Sequence, residues 1–181
     1  MSTATLTAKK AFLLQRWQQI LNDPELDQYD DDYRIETDAD GHILMSPRPP
    51  NTHNRKAFLI AHMLQERLGP SASGETRIVT DHGIKVADAV WCPASRWPQN
   101  EENDTFVTAP DICIEVLSPS NTRAEIDQKG ALYFAAGARE VWICDRNNNI
   151  SFFGLEGLLE KSKLCPDFPS RLDLTPPKPR S

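Results

Sequence analysis

An apolar strand, Asp111-Ile-Cys-Ile-Glu-Val-Leu117, runs almost directly into Thr122-Arg-Ala-Glu125, and the helix begun there is followed at once by a second apolar strand, Arg139 to Asp145. The Thr-x-x-Glu spacing is a capping box: the threonine oxygen takes the amide of the third helical residue, and the glutamate reaches back to the amide of the threonine. Gly137 closes the helix. Helices packed against strands of this kind demand a layered α/β arrangement.

The flanking segments extend that arrangement. Phe12, Leu13, Trp17, Ile20 and Leu21 recur at helical spacing within residues 6–22. Tyr33 to Thr37 and His42 to Met45 read as a hairpin around Gly41, and the prolines between Ser46 and Pro50 are expected to break its ladder. Ala57, Ile60, Ala61, Leu64 and Leu68 define a second amphipathic helix over His53 to Leu68, stopped by Gly69-Pro70. Arg77 to Thr80 and Ile84 to Trp91 form another hairpin, with Ile84, Val86, Asp88 and Val90 on one face by period-two parity. A polar loop spans Cys92 to Thr108, and Ile150 to Phe153 is the last expected strand. The order predicts a mixed β-sheet core flanked by helices, without internal repeats. Residues 1–26 are assigned to an N-terminal helix, 27–158 to the core domain, and 159–181 to a proline-rich, poorly packed tail.

The 181 residues suit one domain. Twenty Lys plus Arg against 26 Asp plus Glu give a net charge of −6, which excludes a generally basic nucleic-acid coat while leaving room for a local basic groove. Acidic blocks at Asp27–Asp32 and Glu101–Asp104 read as solvated loops. Cys92, Cys113, Cys144 and Cys165 form no Cys-x-x-Cys pair and are expected to be reduced and buried. No apolar run has the length of a membrane span, and no signal-peptide core precedes the first helix, so a cytoplasmic protein is expected.

Asp88 and Glu115 are the informative positions, because a carboxylate among apolar strand residues is costly unless cations or donors compensate it. One reading is a shared divalent ion, suited to phosphodiester hydrolysis. The other is an edge strand whose acids face water. Lys129 lies on the helix after the Glu115 strand and can either point back toward an attacking water or pair with Glu125 four residues earlier. His53, at a helix start beside Asn51, Thr52 and Asn54, reads as a phosphate donor or as part of a cap. The other histidines share no metal-ligand spacing, and core positions are assumed for Trp91 and Trp142.

The ordered set Ala87-Asp88-Ala-Val-Trp91, Ala109-Pro-Asp111-Ile-Cys-Ile-Glu115-Val-Leu-Ser-Pro-Ser120, Lys129, Tyr133, Gly137 and Glu140-Val-Trp-Ile-Cys-Asp145 resembles the Uma-type restriction endonuclease family of the PD-(D/E)XK nuclease superfamily. The likeness extends from Tyr33 to about Phe153 and takes in His53. It implies a restriction-endonuclease-like α/β fold and hydrolysis of DNA phosphodiesters. It also implies Mg2+ or Mn2+ held by Asp88, Glu115 and the backbone carbonyl of Val116. Leu117 stands where the superfamily usually has its lysine, and the resemblance assigns that catalytic role to Lys129, with Glu125 and His53 as accessory residues.

Two classes of function follow. One is a metal-dependent endonuclease, expected to work on DNA as a homodimer because two strands call for two symmetry-related sites. The other is a non-catalytic nucleic-acid- or protein-binding module on the same scaffold. A DNA interface would draw on Arg48, Arg55, Lys56, Lys85, Arg96 and Arg123.

Overall fold

The structure is a computed structural model, and it describes residues 7–29, 32–97, 105–118 and 121–175. Glu101–Asp104 and Asp30–Asp31 of the acidic blocks lie outside the described residues, as do Pro98, Ser120 and residues 176–181.

Helix α1 (Ala8–Leu21) opens where the Thr7 side chain accepts the Lys10 amide, and its apolar stripe buries Leu13, Trp17 and Ile20. Strands β1 (Tyr33–Thr37) and β2 (Ile43–Pro47) pair antiparallel as a separate two-stranded ribbon. The ladder continues through Ser46 to Pro47, past the break expected from the prolines. Pro47 is tolerated because it closes the ladder's end, where a missing N–H costs nothing further along the strand. Helix α2 (Asn51–Leu68) begins two residues before His53, behind Pro50 at the N-cap.

Strands β3 (Ala72–Thr80) and β4 (Gly83–Trp91) form the long central hairpin. Gly83 has φ +104°, and a Cβ there would sit 2.1 Å from the Thr37 carbonyl oxygen, so the turn and the approach of the β1–β2 ribbon both require glycine. The loop after Cys92 carries a short edge strand, β5 (Thr105–Phe106), parallel to β3. Strand β6 (Ile112–Val116), helix α3 (Arg123–Ala135) and strand β7 (Glu140–Cys144) make a parallel crossover unit, and the Thr122–Glu125 capping box is present in full. Strands β8 (Ile150–Gly154) and β9 (Gly157–Leu159) finish a seven-stranded sheet of order β5-β3-β4-β6-β7-β8-β9.

Three apolar clusters hold the layers. Helix α2 packs Ile60 and Leu64 with Ile112, Ile114, Trp142 and Phe152. Tyr133 of α3 joins Ile78, Ala87, Cys113 and Val141 in the second cluster. Leu13, Trp17 and Ile20 of α1 meet Val79 and Ile84 in the third. All four cysteines are free and buried.

Two further expectations need correction. Val90 packs in the α3 cluster, apart from Ile84 in the α1 cluster, so strict parity fails along β4. Ala87 and Ala89, which alternation would keep together, also fall in different clusters. The irregularity is centred on Asp88. The second correction concerns the segment after Cys165, which is packed as far as the description reaches. Cys165, Phe168 and Leu172 are buried against the α2 cluster, and Phe168 and Leu172 each contribute roughly 1.5–3 kcal/mol, as expected for a fully buried side chain of that size. Their approach is fixed by Glu140, whose carboxylate accepts from Trp142 Nε1 (2.8 Å), Ser162 Oγ (2.7 Å) and the amides of Lys163 (2.7 Å) and Leu164 (2.9 Å). Backbone bonds from Ile150 to Ser170 and from Leu172 to Asn148 complete the attachment. The prolines there remove donors, but side chains and neighbouring amides replace the ladder they cannot form.

Candidate active site

The β4–β6 ladder stops at Ala89 opposite Ile114. One step further the backbones part, and the Val116 amide donates to Asp88 Oδ2 at 2.7 Å in place of a ladder carbonyl. Asp88 and Glu115 are each 2% exposed, so both acids are buried and neither faces water on an open edge.

Three further elements supply their partners. From α2, His53 Nε2 lies 3.0 Å from Asp88 Oδ2. From β1, Arg34 Nη1 approaches Asp88 Oδ1 at 2.8 Å, as an ion pair outside hydrogen-bonding geometry, so that Oδ1 is a buried oxygen accepting no hydrogen bond. From α3, Tyr133 donates its hydroxyl to Glu115 Oε1 at 2.6 Å, and Lys129 Nζ stands 3.3 Å from Oε1 and 3.4 Å from Oε2. Lys129 also donates to the Val86 carbonyl at 2.6 Å and pairs with Glu36 Oε1 at 3.0 Å. Glu36 in turn accepts the Val86 amide at 2.8 Å.

The protonation states follow from this layout. Burial pushes the Glu115 carboxyl up to about 7, against the opposing pull of the Lys129 ammonium. Burial acts on Asp88 in the same direction, but the His53 hydrogen bond and the Arg34 charge overcome it and hold Asp88 below the usual carboxylate range. Lys129 is raised: burial opposes its charge, and Glu115, Glu36 and Asp88 outweigh that penalty. His53 is likewise raised by Asp88 despite its burial. Two neighbouring carboxyl groups with protonation pushed apart, beside a lysine held charged, are typical of a chemical site.

Of the residues singled out from sequence, Asp88, Glu115, Val116, Lys129 and His53 are brought together. Glu125 is not among them. It is exposed and holds the helix cap, accepting from the Thr122 amide at 2.7 Å and the Thr122 hydroxyl at 2.9 Å, while Lys129 turns inward. His53 points into the core rather than capping its helix. Arg34 and Glu36 were missed, as was a partner role for Tyr133. The only local signal for the first two is the alternation Arg34-Ile35-Glu36 in β1, which puts both charges on one face of the strand.

The six basic residues considered for a DNA interface are internally engaged. Arg48 pairs with Glu75 at 2.9 Å, Arg55 donates to the Leu174 carbonyl, and Lys56 to those of Asp145 and Arg146. Lys85 donates to the Thr37 carbonyl, Arg96 pairs with Asp111, and Arg123 with Asp127. A second acidic group, Asp38, Asp40 and His42, gathers at the β1–β2 turn. Asp38 there accepts from the amides of Asp40 and His42 and meets the His42 ring at 2.9 Å, as turn chemistry requires. No helix among the described residues is long and apolar enough to cross a membrane.

Comparison with solved structures places the fold. A chain described as "a putative nuclease belonging to DUF820 from Anabaena variabilis" superposes with a TM-score of 0.57 at 22% identity, covering 66% of this chain and 71% of that one. The mixed sheet flanked by helices is therefore a fold shared with that protein. None of the curated proteins compared with the chain matches it. The family model Uma2, described as "Putative restriction endonuclease", matches residues 23–176, and the chain belongs to that family.

Proposed function

We propose that this protein is a metal-dependent endonuclease that hydrolyses DNA phosphodiester bonds. The ion, Mg2+ or Mn2+, is held by Asp88, Glu115 and the Val116 carbonyl. The observation that carries the reading is Asp88 Oδ1: a buried, ionised oxygen with no hydrogen-bond donor, beside a second buried carboxyl group. Hard divalent ions take such oxygens. The N–H and C=O of an extended residue point to the same strand edge, so the Val116 carbonyl faces the edge on which its amide meets Asp88. A bound ion supplies Lewis-acid stabilisation of phosphoryl charge and a more acidic water.

The chain's own groups do the rest. Lys129 is fastened by Val86 and Glu36 independently of Glu115, so it stays placed when Glu115 is engaged elsewhere. Being held charged, it orients and stabilises rather than removing a proton. His53 and the Val116 amide fix the Asp88 carboxylate through Oδ2, and Oδ1, which accepts no hydrogen bond, is the oxygen offered to the ion in exchange for its 2.8 Å ion pair with Arg34. Tyr133 fixes Glu115 in the same way. A homodimer is the working unit this reading favours, since cutting both strands calls for two sites.

Supercoiled-plasmid nicking with magnesium, manganese or EDTA tests the proposal, with Asp88→Ala and Lys129→Ala alongside. Metal-dependent nicking lost in both variants supports it; activity surviving Asp88→Ala overturns the site. The binding-module reading is favoured by the neighbours of the two acids, since Arg34 and His53 compensate Asp88 and Lys129 compensates Glu115 within the protein itself. Salt-sensitive DNA binding without turnover in any metal would select it.

A further inference from the structure

Arg34 carries two carboxylates at once, and they come from opposite strands of the β3–β4 hairpin. Its Nη1 lies 2.8 Å from Asp88 Oδ1, and its Nη2 donates to Glu75 Oε1 at 2.9 Å. The two contacts differ in kind. The one with Glu75 is a hydrogen bond, whereas Asp88 Oδ1 accepts none, so Arg34 meets Asp88 through charge alone. Asp88 is also the buried partner, at 2% exposure against 40% for the Glu75 side chain. The hairpin register pairs Gly74 with Ala89 and Thr76 with Ala87, which leaves Glu75 and Asp88 opposite each other outside the ladder. Glu75 holds φ at +30°, where a residue with a β-carbon rarely sits, so the strand is strained at the residue that gives Arg34 its second partner. Beside Arg34 lies a cavity of about 240 Å³ whose lining includes Trp17, Ile35 and Glu75. Arg34 Nε is a buried donor with no hydrogen-bond partner among the described residues.

A guanidinium and a divalent ion cannot share one carboxylate oxygen, because both are cations and a magnesium ion must come within about 2.1 Å of its ligand. The oxygen suited to a hard ion is the one that Arg34 holds without a hydrogen bond. Glu75 gives Arg34 an alternative. Arg48 occupies its Oε2 at 2.9 Å, while Oε1 is already bonded to Arg34, and the cavity leaves the guanidinium room to move. We infer that Arg34 is a displaceable counter-ion. It balances the Asp88 charge until a divalent ion takes Oδ1, and then rests on Glu75, so that Arg34 and Glu75 together set how tightly the ion is held. The inference rests on the metal-dependent reading of Asp88 and Glu115. It makes Arg34 and Glu75 positioning residues, acting on the ion through Asp88.

The test is isothermal titration calorimetry of Mn2+ into the full chain, with no DNA present. The parent is measured beside Arg34→Gln, Glu75→Gln, the double variant and Asp88→Asn. Circular dichroism checks that each is folded, and Glu75, being partly exposed, supplies a second variant should Arg34→Gln unfold. Arg34→Gln is expected to bind Mn2+ about tenfold tighter than the parent, because the competing charge is gone. Glu75→Gln is expected to bind about threefold weaker, because Arg34 then rests on Asp88 alone. In the Arg34→Gln background, Glu75→Gln should change nothing, which the plain loss of a negative charge near the ion would not produce. Three results overturn the inference: no tightening in Arg34→Gln, unchanged affinity in Glu75→Gln, or a Glu75→Gln loss that is equal in both backgrounds. Asp88→Asn reports the metal reading separately. If neither the parent nor Arg34→Gln binds Mn2+, or if binding survives Asp88→Asn, the metal reading falls and the counter-ion with it. Binding that is lost in Asp88→Asn but indifferent to Arg34 and Glu75 sinks the counter-ion alone.

Discussion

Glu115 shows what the site costs its host. Its carboxyl is raised from an ordinary value near 4.5 to about 7, so between those pH values the folded protein keeps a proton that the unfolded chain has released. Stability in the absence of metal therefore falls as pH rises across that window, and the loss is complete above it. The difference corresponds to roughly 3 kcal/mol. Glu115→Gln keeps an oxygen for the Tyr133 hydroxyl and removes the titration. The variant is expected to melt higher than the parent at pH 8 in EDTA and to show a flatter stability profile between pH 5 and 7, measured by urea unfolding. A profile as steep as the parent's would mean that another group carries the proton. Asp88 behaves oppositely, since its ionised form is the one the fold supports. Magnesium in about hundredfold excess over its dissociation constant is expected to add about 2.7 kcal/mol to the parent. Asp88→Asn should remove that increment, read as a melting shift with no DNA present.

Among the elements, α3 illustrates how two plausible sequence readings can share a residue. Glu125 stands four positions before Lys129, the spacing of a surface ion pair, but it also occupies the third helical position after Thr122. The cap wins because the glutamate can reach two donors on Thr122 without ordering a long lysine. Lys129 is then free to meet buried acids. Thr122→Ala is expected to destabilise by about 1 kcal/mol, the usual worth of an N-cap, measured by denaturant midpoint at unchanged slope. The acids on β4 and β6 were legible because each interrupts an apolar strand. Arg34 and Glu36 were not, since their meaning lies in contacts with Asp88 and Lys129 far along the chain, and nothing in a five-residue strand announces such partners. Strand β5 is two residues long within a polar loop, and the first half of β3 reads Ala-Ser-Gly-Glu, so neither has the β-branched run that marks a strand.

The whole molecule closes its sheet with a segment that composition described poorly. Five prolines after Cys165 suggest a loose end, yet Phe168 packs at a tilt of 56° against Trp142 with ring centres 4.7 Å apart, and Glu140 gathers the chain leading to it. A carboxylate at the start of β7 gave no hint that three of its partners lie more than twenty residues later. Phe168→Ala is expected to cost roughly 3–5 kcal/mol, as for other buried aromatic truncations, seen as a lower urea midpoint. A loss under 1 kcal/mol would show that the segment rests on the core without supporting it. The same anchoring bears on how the protein is made. Among the described residues, the side chains that hydrogen-bond or ion-pair with Asp88 and Glu115 all precede residue 134, whereas the cover over the α2 side of the sheet comes from residues 165–172. A nascent chain thus displays its reactive residues on an unfinished scaffold and gains a stable one only when that cover arrives. Chains stalled before Cys165 should be readily cleaved by protease, and biosynthesis would set the moment at which the site gains its finished scaffold.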